Sequence, residues 1–160
     1  MVVDANKRGK ETWLTHDPQR TFPMTTFDTR VAIFVRNDLA TWKKLNVTAF
    51  LATGIAGTAP EAMGEPYVDA AGRTFARMLG QPMLVFAAST EDLARAHRIG
   101  IERQCVHAVY VEAMFSTGND EANRLAFLAE DPETPGLVGI ALRGSKKAIE
   151  KATKGVPLHN

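Results

Sequence analysis

Residues 31–35, Val-Ala-Ile-Phe-Val, form an unbroken apolar run rich in β-branched side chains, and no other feature of the chain restricts its fold as much. A strand with one wet face alternates apolar and polar residues, so a run that is apolar at every position suits a strand covered on both faces. Pro82 to Phe86 reads the same way, and Val106 to Val111 and Leu137 to Leu142 supply two further strands. Helical patterns lie between them. The first runs from about Leu39 to Ala56 with Asp38 as its cap. Its early turns carry Lys43 and Lys44, whereas Leu45, Val47, Phe50, Leu51 and Ile55 make the later turns apolar nearly all round, which predicts burial of that second half. Ser89-Thr90-Glu91-Asp92 has the oxygen cap and first-turn acids of a helix that continues to about Gln104. Asn119 or Asp120 opens a short helix with Ala122, Leu125, Ala126 and Ala129 on one face. Gly144 and Ser145 lead into a last helix with Ala148, Ile149 and Ala152 as its buried stripe and Gly155 as its stop. Between Tyr67 and Phe75, two strand-like pieces about a glycine-containing turn predict a small hairpin.

Strands alternating with helices predict an α/β fold: a single three-layer domain with a mixed, mostly parallel sheet of about four core strands and helices on both faces. A chain of 160 residues fits one such core. The first 29 residues contain Pro18, Pro23 and several threonines, without helical period or strand alternation, and read as an extension ahead of a domain at residues 30–160. Trp13, Phe22 and Phe27 are its natural anchors, and Met24 is an alternative start.

The net charge of +1 gives no global field of the kind that marks a strongly basic nucleic-acid binder, so any RNA contact must come from a local patch. Arg143, Lys146, Lys147, Lys151 and Lys154, opposed only by Glu150, form one such patch, although a solvated helix face explains the same residues. Cys105 is alone and the four histidines have no paired spacing, so no disulfide, metal or cofactor is expected and a reducing, cytoplasmic location is. The N-terminus has no leader-like apolar run, and no stretch approaches the roughly 20 apolar residues that span a bilayer. The Gly-x-Ser-x-Gly elbow, the phosphate loop and the Gly-x-Gly-x-x-Gly fingerprint are all missing.

In sheets of this kind ligands gather at the carboxyl ends of the strands. That directs attention to Arg36 and Asp38 after the first strand, to Lys43, Lys44, Asn46 and Thr48 on the following helix, and to Glu112, Ser116, Thr117 and Asn119 after the third core strand. Each has a plainer role as well. Asp38 is a cap, the lysines are solvated surface, Asn46 and Thr48 bond to nearby backbone, and Glu112 is an ordinary strand-end carboxylate. His107 and Cys105 read as packed residues.

Taken in order, these segments resemble the type II peptidyl-tRNA hydrolases. The shared order is a basic residue, an apolar strand and Val35-Arg36-Asn37-Asp38-Leu39, then Glu91-Asp92-Leu93, Glu112-Ala113, and Ile149-Glu150-Lys151-Ala152-Thr153 with Leu158 shortly after. The likeness spans about residues 30–158 and is closest to an uncharacterised bacterial branch grouped with those hydrolases as a domain of unknown function. It implies the fold and a homodimer without naming a substrate. It also implies that Glu112 positions a water for attack on an aminoacyl-type or related ester, that Ser116 helps orient it, and that Arg30 stabilises the oxyanion. Arg36, Asp38, Lys43, Lys44, Asn46, Thr48, Thr117 and Asn119 would contact the substrate, with tRNA or a small anionic ligand as partner. The chain departs from the family at several of these positions. Arg30 replaces a lysine and cannot serve as a base, a family threonine falls near Leu137, and the signature Gly-Lys, Ala-Ala-Gln, His-Ala is replaced by Lys44 to Phe50. These losses leave open a non-catalytic module that uses the same edge for a small anionic metabolite or an RNA end. The catalytic reading requires Arg30 and Glu112 to face one cleft.

Overall fold

A computed structural model describes residues 26–160; Trp13, Phe22 and Met24 lie outside the described residues. The chain runs β1 (Thr29–Arg36), α1 (Thr41–Thr58), β2 (Tyr67–Val68), β3 (Thr74–Phe75), β4 (Met83–Ala88), α2 (Thr90–Glu102), β5 (Val106–Val111), α3 (Asp120–Leu128), β6 (Leu137–Ser145) and α4 (Lys146–Thr153), with short 3-10 turns at Pro60–Ala62 and Glu112–Ser116. The core sheet has the order β4-β1-β6-β5. Strand β1 pairs parallel with β4 and antiparallel with β6, and β5 pairs antiparallel with β6. The sheet is therefore mixed as expected, but one pairing of three is parallel, which corrects the expectation of a mostly parallel sheet. The reason is the connection after β5. It returns the chain to the end of the sheet where β5 stopped, with Glu112 N–H bonded to the Gly136 carbonyl at 2.9 Å, so β6 has to run back between β1 and β5.

The uninterrupted apolar character of β1 matches its position, since Val31 to Val35 are all at most 3% exposed. Val31, Ile33 and Val35 pack against Val47, Leu51 and Ile55 of α1 on one face. Ala32 and Phe34 pack against α2 and α4 on the other, with Leu93, Ala96, Ile99, Ile149 and Ala152. The three layers follow from that division.

Ser89 and Asp92 form a reciprocal capping box at the start of α2, Asn119 caps α3, and Ser145 caps α4. Gly155 follows α4 with φ of 78°, the left-handed conformation that suits a glycine at a helix end. Two expectations about α1 are corrected. Its cap position is Ala40 with no side-chain bond, because the Asp38 carboxylate is held by Arg36 instead. Only one stripe of its second half is buried, and Phe50 is 53% exposed. The hairpin forms as β2 and β3, pairing Tyr67 with Phe75. Beyond α4, the C-terminal tail lies against the outer edge of β4: Ala87 N–H donates to the Pro157 carbonyl and His159 N–H to the Val85 carbonyl, each at 2.9 Å. Among the described residues no helix is long and apolar enough to cross a membrane.

Candidate functional site

Because β1 and β5 run in the same direction on either side of β6, Arg36 at the end of β1 and Glu112 just past β5 emerge at one end of the sheet. The β5–β6 register shifts between Tyr110 and Val111, pairing them with Gly139 and Leu137, so the ladder is irregular immediately before Glu112. Arg36 Nη2 donates to Glu112 Oε2 at 2.9 Å, Lys43 Nζ donates to Glu112 Oε1 at 3.1 Å, and Arg36 Nε donates to Asp38 Oδ1 at 2.6 Å. One carboxylate thus joins two cations from different elements. Partial burial alone would lower the pKa of Arg36, but its bond and charge interaction with Asp38 and the Glu112 carboxylate outweigh burial and raise it. These pairs are partly solvated and each contributes at most about 1 kcal/mol, so their main effect is to hold the side chains in place.

A cleft of about 380 Å³ opens beside this cluster. Trp42, Asn46 and Phe50, four residues apart on one face of α1, form one wall. Tyr110 of β5 with Met114 and Phe115 of the 3-10 turn form another, and the segment from Thr117 to Asn123 makes the rim. The rings touch in sequence: Trp42 to Phe115 at 5.9 Å between centroids, Phe115 to Tyr110 at 5.2 Å, and Tyr110 to Phe50 at 5.9 Å. Lys43 Nζ lies 4.2 Å from the Phe115 centroid, within cation–π range, and so ties the ion cluster to the aromatic wall. Tyr110 donates from its hydroxyl to Asn46 Oδ1 at 3.4 Å, and burial raises its pKa so that the phenol stays protonated. Thr117 donates to the Met114 carbonyl at 2.8 Å and stands against the Asn123 amide. Beyond Phe50 and Tyr110 a second hollow of about 270 Å³ follows β5, which among the described residues has a strand partner on one side only.

A family model described as a protein of unknown function, DUF2000, matches residues 29–160. The chain belongs to the DUF2000 family. A solved structure of Atu0240, a protein of unknown function from Agrobacterium tumefaciens strain C58, is 45% identical, covers 84% of this chain and all of its own, and has a TM-score of 0.80. No curated protein matches the chain.

In this DUF2000 domain the expected site residues separate into four groups. Arg36, Asp38, Lys43 and Glu112 form the ion cluster, and Asn46, Thr117 and Asn119 line the cleft. Lys44, Thr48 and Ser116 do not line it; the Thr48 hydroxyl donates to the Lys44 carbonyl at 2.8 Å, and Ser116 is exposed at the end of its turn. Arg30 is not brought to Glu112 at all. It is the second residue of β1, six residues and roughly 20 Å from the end where Glu112 lies, and its guanidinium pairs with Glu150 at 2.8 Å. The expected Arg30–Glu112 cleft is therefore corrected: parallel strands place the start of one and the end of the other at opposite edges. Trp42, Phe50, Tyr110, Phe115 and Asn123 were not singled out from the sequence. The four-residue spacing of Trp42, Asn46 and Phe50 was the available signal.

Elsewhere, burial raises the pKa of Cys105, although Arg103 opposes the shift, and the residue remains a packed thiol. Among the described residues no three His, Cys, Asp or Glu side chains converge as metal ligands.

Proposed function

We propose that the cleft binds a small molecule that combines a flat ring with an anionic group, without acting on it. The observation that supports this is the convergence of four aromatic rings and the amides of Asn46, Asn119 and Asn123 on one cleft, beside a carboxylate shared by two cations. Aromatic walls stack a ring, and side-chain amides both donate to and accept from its edge. An incoming phosphate or carboxylate would replace Glu112 on Arg36 and Lys43, exchanging one anion for another so that neither cation is left unpaired. The terminal nucleotide of an RNA has the same chemistry. Titration calorimetry with nucleoside monophosphates and the matching nucleosides tests the proposal. The monophosphate should bind about tenfold more tightly, and Trp42→Ala should weaken both. Failure of any ring-bearing anion to bind, or indifference to Trp42→Ala, rejects it.

A second reading is ester hydrolysis within a fold like that of the type II peptidyl-tRNA hydrolases. Its support is Glu112 at the cleft mouth with Lys43 bonded to it and the Thr117 hydroxyl on the rim, positions that assume the parts first expected of Arg30 and Ser116. Glu112 would hold the water and Lys43 or Arg36 the oxyanion. Release of peptide from peptidyl-tRNA that disappears in Glu112→Gln would establish it; unchanged turnover in that variant would reject it. The exposed Leu45 of α1 and Leu125 and Leu128 of α3 offer apolar surface for the homodimer that belongs to this reading, which sedimentation equilibrium tests.

A further inference from the structure

At the opposite end of the sheet from the cleft, α4 covers β1 and β6 but stops short of β4, and the uncovered strip is an apolar slot of about 360 Å³. Ala32 of β1, Leu84 and Phe86 of β4 and Ile149 of α4 form its walls. The slot exists because Ala32 ends in a methyl group between larger neighbours, and Leu84 remains 50% exposed. Its charged residues are confined to one end by the strand register. Arg30 pairs with Gly144, two residues before Lys146, and Val31 pairs with Met83, which brings Gln81 and Pro82 to the same level. Phe86 lies at the other end, roughly 13 Å away at about 3.3 Å per residue.

The hydrogen-bonding groups at that end are mostly engaged. Gln81, 5% exposed, donates to the Thr29 carbonyl and accepts from Arg143 Nε and the Thr29 hydroxyl; seven residues along α4 from Lys146, the Thr153 hydroxyl is engaged as well, donating to the Ile149 carbonyl. Two cations remain with donors to offer. Arg30 has five N–H groups and a single carboxylate partner, Glu150, while Lys146 has no ion-pair partner among the described residues. Among the described residues no acidic side chain lines the slot, and α4 opens with Lys146 and Lys147 and no acid in its first turn.

We propose that this slot is a second binding site, for a single-chain acyl carboxylate whose head lies between Arg30 and Lys146 and whose tail runs along Ala32, Leu84 and Ile149 toward Phe86. The volume is within the range of about 300–1,000 Å³ typical of small-molecule sites, and the layout of an apolar channel with charge at one end matches an amphiphilic anion. The site shares no lining residue with the ring-binding cleft and stands or falls independently of it.

Methyl-labelled full-length protein titrated with decanoate, and separately with decyltrimethylammonium, tests the assignment by NMR. Decanoate should produce saturable shifts at the methyl groups of Leu84, Ile149 and Ala32, and the cation with the same tail should bind at least about tenfold more weakly. Lys146→Glu, at an exposed first helical position where an acid suits the helix, should keep the melting temperature and weaken decanoate about tenfold. Leu84→Glu, which buries no new group, should abolish the shifts. Equal binding of the two head groups, shifts centred outside the slot, or no saturable binding would each overturn the proposal. The last result is what a slot covered by residues 1–25 or by a second copy would give, and sedimentation of wild type against Leu84→Glu identifies the second copy.

Discussion

His107 shows how a single half-buried group contributes to the acid sensitivity of the fold. Its Nε2 lies 3.3 Å from Nδ1 of His97, so one ring donates and the other accepts, an arrangement that two fully protonated rings cannot make. Burial, with a smaller contribution from the charge of His97, lowers the pKa of His107 to about 4, and burial lowers that of His97 as well. The unfolded chain has histidine pKa values near 6.5 and takes up protons first as pH falls. The stabilisation is therefore complete above about pH 6.5 and is lost progressively between there and about pH 4. Calorimetric melting temperatures should fall over that interval, and His107→Gln, which keeps a polar side chain of similar reach, should flatten the dependence. Gly139 is a second residue whose identity is dictated locally. A Cβ there would lie 2.3 Å from Val47 Cγ1 and 3.3 Å from the Phe34 carbonyl oxygen. Gly139→Ala should lower urea-unfolding stability by about 1–3 kcal/mol through overpacking.

Among the elements, those whose signal is local were legible in the sequence. Strand β5 spans the run from Val106 to Val111 as expected, and the Ser89–Asp92 box opens α2. Ser89→Ala removes the oxygen that accepts from Asp92 N–H at 3.1 Å, and should cost about 1 kcal/mol in denaturant unfolding. The start of α1 was not legible, because Asp38 has the right chemistry for a cap but a stronger partner in Arg36, a pairing that sequence spacing does not reveal. The same holds for the cleft wall. Trp42 and Phe50 look like core residues in a helix that is apolar nearly all round, and what exposes them is that the sheet beneath α1 ends at β5. Topology brought Arg36, Lys43 and Glu112 to one end of the sheet, where the structure joins them, whereas Arg30 entered through a resemblance in residue order, which contains no information about which end of a strand faces a given cleft.

For the whole molecule the governing fact is that β6, the last strand to be made, lies in the middle of the sheet between β1 and β5. No apolar run announces such an order, because register and direction depend on where the preceding connection leaves the chain. Amide exchange should be slowest in β1 and β6, whose ladder joins the two halves of the sheet, and much faster in the two-residue strands of the β2–β3 hairpin. Comparable rates in the two places would contradict a single core built on that ladder. The position of β6 also has a consequence during biosynthesis. Until Leu137 and the residues after it have left the ribosome, β1 and β5 have nothing between them. Although β4, α1 and α2 are made earlier, the edges of β1 and β5 that β6 joins have no strand to pair with until then, which leaves them open to chaperones and to misassociation in the nascent polypeptide.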